Sequence, residues 1–123
     1  MARTIVAVVD DLFFASKIRA TADELGFEVR FVRKPEALIS GASENTPDLI
    51  IVDLESDKVD AIKLAGELKA NEYLRAVPLI GFFSHVLTEV KLAAIESGFD
   101  TVVPRSVFTR DLAEILAGEK INR

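Results

Sequence analysis

Apolar residues in this chain come in short unbroken runs, separated by longer stretches of helical period. IVAVV (5–9), LIIV (49–52), LIGFF (79–83) and TVV (101–103) are continuous rather than alternating. Strands read this way when both faces of their sheet are covered, the condition of parallel sheets. FEVRFV (27–32) alternates apolar with charged residues and predicts an edge strand. Between the runs, Phe14, Ile18, Thr21, Ala22 and Leu25 trace one helical face, and Gly26 stops that helix. Pro35 suits the first turn of a second helix over EALISGAS. Ile62, Ala65 and Leu68 mark a third helix; Val86, Val90, Ala93 and Ala94 mark a fourth, closed by Gly98. Leu112, Ile115 and Leu116 mark the last, with Thr109 as its candidate N-cap.

Strand and helix thus alternate five times at roughly 20–25 residues per unit, the spacing of right-handed crossovers. Five units are too few for an eightfold barrel. The predicted class is α/β: a five-stranded parallel sheet, doubly wound, with helices on both faces. Its common strand order is 2-1-3-4-5.

Composition removes several alternatives. At 123 residues the chain is one domain, long enough to bury a core without staples. The domain is placed at residues 1–118, and 119–123 form a polar tail that frays. The absence of cysteine excludes disulfides and thiolate metal sites and suits a reducing cytoplasm. The opening MARTIVAVVDD is neither a secretory signal nor a membrane span, which needs about 20 apolar residues. A net charge of −5, from 20 acids and 15 bases, disfavours nucleic acid and is compatible with a cation site or a basic partner surface.

The candidate chemistry lies in the carboxylates. Strand 1 ends VVDD, giving Asp10 and Asp11, and strand 3 ends IIVD, giving Asp53. In a 2-1-3-4-5 sheet these ends are neighbours, at the switch point where ligands bind. A buried, unpaired charge is costly, so Asp53 is expected at the rim of the sheet and in company. Three converging carboxylates call for a neutralising cation, and oxygen-only donors suit Mg²⁺. Acids at strand ends are also ordinary solvated loop residues; a DD pair facing a third acid favours the cluster.

VVDD, PDLIIVD and GFDTVVPRS, spread over almost the whole chain, resemble the receiver domain of two-component response regulators, a flavodoxin-like fold. The resemblance implies that Asp53 is the phosphoacceptor, attacking a phosphohistidine. It implies that Asp10, Asp11 and Asp53 hold Mg²⁺, together with the backbone carbonyl of Glu55. The Glu55 side chain adds a fourth carboxylate, one that could pair with Arg105 or strengthen cation binding.

Three places depart from the family's pattern. Where strand 4 should end in a phosphoryl-binding Thr or Ser stands Phe83, which reads as core; Ser84 follows one residue later, and either a bulge shifts it into the phosphoryl-binding place or the hydroxyl role is absent. Where strand 5 should carry a lysine followed by a cis proline stands Arg105, preceded by Pro104. An arginine keeps the charge and can fork onto a phosphate or a carboxylate; equally, it can pair permanently with Asp53 or Glu55 and lock the site. Val102 replaces the aromatic that switches in strand 5. His85, the single histidine, reads as a surface or capping residue, and Phe13 and Phe14 as one loop-packing and one core residue.

The resulting expectation is an atypical stand-alone receiver in phosphorelay signal transduction. A sensor histidine kinase or phosphotransfer protein would load Asp53, and a separate downstream effector would read the surface of strand 5 and the last two helices. Neither nucleic acid nor a membrane is expected as partner, the location is cytoplasmic, and a homodimer through the last helices is left open. No enzyme activity is expected beyond Mg²⁺-dependent self-phosphorylation and autodephosphorylation. The main rival is a pseudo-receiver, a phosphorylation-independent protein–protein interaction module. A flavodoxin-type cofactor carrier ranks behind both, because VVDDLFF offers acids rather than glycine amides to a phosphate.

Overall fold

A computed structural model of the chain describes residues 2–56, 59–84 and 88–119. The strands β1 (Thr4–Val8), β2 (Glu28–Phe31), β3 (Leu49–Asp53), β4 (Leu79–Phe83) and β5 (Thr101–Pro104) form one sheet. All neighbours are parallel, as the hydrophobic pattern predicts, and the order is β2-β1-β3-β4-β5, that of the common doubly wound form. The connections carry α1 (Leu12–Leu25), α2 (Pro35–Ser40), α3 (Ala61–Ala70) and α4 (Thr88–Ser97); α5 (Arg105–Arg110) and α6 (Leu112–Leu116) follow β5.

The unbroken apolar runs have a simple cause. Successive strand residues point to opposite faces, and here both faces are covered. Val6, Val8, Ile50 and Val52 pack with Leu38 of α2, Leu64, Ala65 and Leu68 of α3 and Ala94 of α4. Ile5, Ala7, Leu49, Ile51 and Phe82 pack on the other side with Phe14, Ile18 and Ala22 of α1, Phe108 of α5 and Ile115 of α6. At the edge, β2 exposes Glu28 and Arg30 and half-buries Val29 and Phe31, charges that blunt an open edge.

Side chains fix the strand starts. Asp48 Oδ2 accepts from the Thr4 amide at 2.8 Å, and Asp100 Oδ2 accepts from the Leu79 amide at 2.8 Å. Gly26 ends α1 in the left-handed conformation, φ 74°, where a side chain would be strained.

Several helical readings are corrected. In α3 the buried face is Ala61, Leu64, Ala65 and Leu68, and Ile62 is exposed. In α1, Leu25 is exposed in the last turn. In α4, Ala94 is buried while Val90 and Ala93 face solvent; Val86 lies outside the described residues. These short helices mix apolar residues on both faces, so spacing alone does not say which side meets the sheet. The last helix is two pieces hinged at Asp111, and Thr109 lies inside α5 rather than at a cap. The reason is local: β5 ends in Pro104, which serves as the N-cap, and the helix begins at the next residue. Among the described residues no helix is long and apolar enough to cross a membrane.

Candidate functional site

Asp53 closes β3 at the sheet's carboxyl edge. Its register partner is Phe82 on β4, and β3's alternation turns it to the face covered by α1 and α5. It is 3 % exposed, one of two buried polar residues among those described, so it lies deeper than a rim position. Its company is specific. Oδ1 accepts from the Glu55 amide at 2.9 Å, and Oδ2 lies 3.4 Å from Nη2 of Arg105. Burial raises the Asp53 pKa above its ordinary value of 3.8, and the nearby charges of Glu55 and Asp10 push the same way. The Glu55 amide and the Arg105 cation oppose that rise without cancelling it.

Asp11 does two jobs. Oδ1 accepts from the Phe13 and Phe14 amides at 2.9 and 3.2 Å, capping α1, while Oδ2 faces Arg105 Nη1 at 3.7 Å. Asp10 is exposed, and its Oδ2 lies 3.4 Å from the Ser56 hydroxyl.

Arg105 is the first residue of α5, delivered to the rim because Pro104 pairs with Phe83 in the sheet register. Its guanidinium lies over the Phe14 ring at 4.5 Å and near the Phe82 ring at 5.8 Å. Phe82 in turn stacks on Phe108, with centroids 4.5 Å apart. These rings form an apolar floor, and a cation over an aromatic face gains about 0.5–2 kcal/mol. Nε is buried with no hydrogen-bond partner among the described residues, so the guanidinium is held by its two Nη groups and by the rings.

Phe83 is buried in the core opposite the site. Ser84 follows it, and its hydroxyl lies 2.7 and 2.6 Å from the two Glu55 carboxylate oxygens. The Ser84 amide also donates to Glu55 Oε1, at 2.7 Å. The carboxylate of Glu55 is therefore directed at Ser84, while Arg105 serves Asp53 and Asp11. Val102 is buried, Phe14 is core, and Phe13 is 65 % exposed. His85 lies outside the described residues.

The structure thus brings Asp11, Asp53 and Arg105 together, sets Asp10 beside them, and joins Ser84 to Glu55. The aromatic floor of Phe14, Phe82 and Phe108 escapes a reading of the sequence, although Phe82 stands just before the end of a buried run. Asp11 as a helix cap was legible from an aspartate preceding LFF. The donors suit a hard divalent cation, all being carboxylate or carbonyl oxygens. Their present arrangement is not a closed metal site: among the described residues no three His, Cys, Asp or Glu side chains converge as metal ligands.

The profile of the family described as "Response regulator receiver domain" matches residues 5–117. The chain belongs to that family. Among solved structures, this receiver domain is similar to the receiver domain of the sensor histidine kinase PA1611 of Pseudomonas aeruginosa PAO1. That structure has a magnesium ion coordinated in its active-site cleft; the TM-score is 0.81 at 22 % identity, over 96 % of this chain and 97 % of the other. A response regulator from Hahella chejuensis gives a TM-score of 0.85 at 16 % identity, over 97 % and 96 %. Chemotaxis response regulator CheY4 of Vibrio cholerae gives 0.82 at 15 %, over 97 % and 99 %. At such identities these likenesses establish the fold. The sensor protein GacS of Pseudomonas syringae pv. syringae is 21 % identical over 102 residues, covering 80 % of this chain and 11 % of GacS, so the chain spans about a tenth of that relative's length.

Proposed function

We propose that this receiver domain accepts a phosphoryl group on Asp53 from a phosphohistidine of a sensor kinase or phosphotransfer protein. The observation that carries this reading is a buried carboxylate at the carboxyl end of the central strand, with a cation at 3.4 Å and two further acids beside it. A lone pair of Asp53 forms the new P–O bond, the P–N bond breaks, and its electron pair returns to the imidazole nitrogen. The Glu55 amide orients the carboxylate, and the Arg105 fork is placed to take phosphoryl oxygens.

The candidate metal ligands are Asp10, Asp11, Asp53 and the Glu55 carbonyl. When bound there, Mg²⁺ supplies neutralising charge for the transferred phosphoryl group; the magnesium in the PA1611 receiver supports this assignment. Transfer ends in an acyl phosphate that a partner reads, so the domain is a signalling element, with no turnover of outside substrates.

A second reading has its own observation. Arg105 already pairs with Asp11 and Asp53, which is what a phosphorylation-independent interaction module would show. Incubation with acetyl phosphate and Mg²⁺, followed by mass spectrometry, separates the two. The acceptor reading expects an adduct that is absent in Asp53→Asn. No adduct at saturating donor, with partner binding unchanged in Asp53→Asn, leaves the interaction module.

A further inference from the structure

Ser84, the candidate phosphoryl-binding hydroxyl, already has an anionic partner, and that partner belongs to the chain. Ser84 Oγ lies within hydrogen-bond distance of both Glu55 oxygens, and the Ser84 amide donates to one of them. A hydroxyl has one proton to give. A phosphoryl oxygen can only accept, so it needs the same proton that Glu55 now takes. The two are mutually exclusive ligands of Ser84.

We propose that Glu55 is a built-in competitor for the phosphoryl group, a carboxylate that holds Ser84 in the unloaded state and must release it on loading. The proposal rests on Asp53 as the acceptor. Three features of the geometry support it. Glu55 is two residues beyond Asp53, and its amide binds Asp53 Oδ1, so the acceptor and the competitor share one backbone turn. The Glu55 charge is felt at Asp53 in the direction that disfavours further negative charge there. Ser84 directly follows β4, so the bond ties the β3 exit to the β4 exit.

Glu55 is a positioning residue in this account, acting through Ser84. Its test uses the whole chain in four forms: wild type, Glu55→Ala, Ser84→Ala and the double variant, with Glu55→Gln as the conservative control. The first readout is the Ser84 amide proton shift without any phosphodonor. It is expected downfield in wild type, moved upfield in Glu55→Ala, and largely restored in Glu55→Gln, which keeps an acceptor oxygen. An amide unmoved by Glu55→Ala overturns the proposal.

The second readout is the rate of adduct formation with acetyl phosphate and Mg²⁺. Glu55→Ala is expected to raise it roughly tenfold, the scale of a hydrogen bond to a charged group. That gain should vanish when Ser84 is alanine. An equal gain in the Ser84→Ala background assigns the effect to charge alone and overturns the competition. If no form gives an adduct, the acceptor reading of Asp53 fails, and with it the competition, while the amide shift reports whether the Glu55–Ser84 bond exists.

Discussion

Nη2 of Arg105 stands 3.4 Å from Oδ2 of Asp53, and the same guanidinium reaches Asp11 at 3.7 Å. One side chain from the end of β5 thus answers acids from the ends of β1 and β3. It lies across the neighbouring strand β4, on rings from α1 and β4. A carboxylate as deeply buried as Asp53 is tolerable because this cation and the Glu55 amide attend it.

Removing that cation should therefore cost stability. Arg105→Ala leaves the Asp53 charge buried without its partner and uncovers the face of Phe14. Because Arg105 itself reaches solvent, the loss should fall below that of a fully buried broken pair, at about 1–3 kcal/mol. Arg105→Lys keeps the charge but not the fork or the stacking, and should lose less. Urea unfolding of the three proteins checks the order, and an Arg105→Ala curve superimposed on wild type would show the pair to be structurally idle.

The raised pKa of Asp53 fixes a sign for pH dependence. The folded chain holds this proton to higher pH than the unfolded chain, whose value is near 3.8. The group's stabilising contribution is complete below the unfolded value and is lost as pH rises through the raised folded value. At neutral pH the ionised carboxylate is a net cost. Asp53→Asn should accordingly melt higher than wild type at pH 7 without metal. The advantage should shrink on acidification and be gone below about pH 4. Thermal melts across that range decide it, and a lower Tm for Asp53→Asn at pH 7 would mean that Arg105 outweighs burial.

How much of this was readable beforehand follows from what each feature depends on. The parallel sheet follows from buried runs, a pattern written in consecutive residues, and its order is that of the common doubly wound form. The acids that end β1 and β3 are bridged by Arg105, and among the described residues they do not close into a cation site. Helix faces were less legible: Ile62 and Leu64 are both apolar and two positions apart, and contact with the sheet, not spacing, chose Leu64. The pairing inside the site was least legible. Arg105 could reach Asp53 or Glu55 by sequence alone. Glu55 went to Ser84 instead, since the Phe83 side chain takes the core and leaves Ser84 at the rim.

Gly81 gives a packing prediction close to the site. It pairs in register with Val52 and Val102, and a Cβ there would lie 3.0 Å from Leu54 Cγ and Cδ2 and from Phe99 Cε1. Gly81→Ala should cost about 1–3 kcal/mol through overpacking, offset by up to about 1 kcal/mol from the stiffer unfolded chain. Leu54 directly follows Asp53, so pressure on it moves the acceptor as well. Slower adduct formation should accompany the lower stability, and a variant as stable and as reactive as wild type would show that Leu54 and Phe99 give way freely.

Asp11 offers a way to separate fold from site within one residue. Its Oδ1 caps α1 through the Phe13 and Phe14 amides, while its Oδ2 faces Arg105. Asparagine caps helices as well as aspartate does, whereas alanine forfeits about 1 kcal/mol. The partly exposed pair with Arg105 is worth at most about 1 kcal/mol. Asp11→Asn should therefore lie near wild type in stability, and Asp11→Ala clearly below it. Mg²⁺ affinity, followed by amide shifts on titration, should rank differently, because both substitutions remove the charge that a hard cation requires. Asn and Ala should then be weakened alike relative to wild type. Equal stability of the two variants would deny the cap its role, and a wild-type Mg²⁺ affinity in Asp11→Asn would remove Asp11 from the candidate ligands.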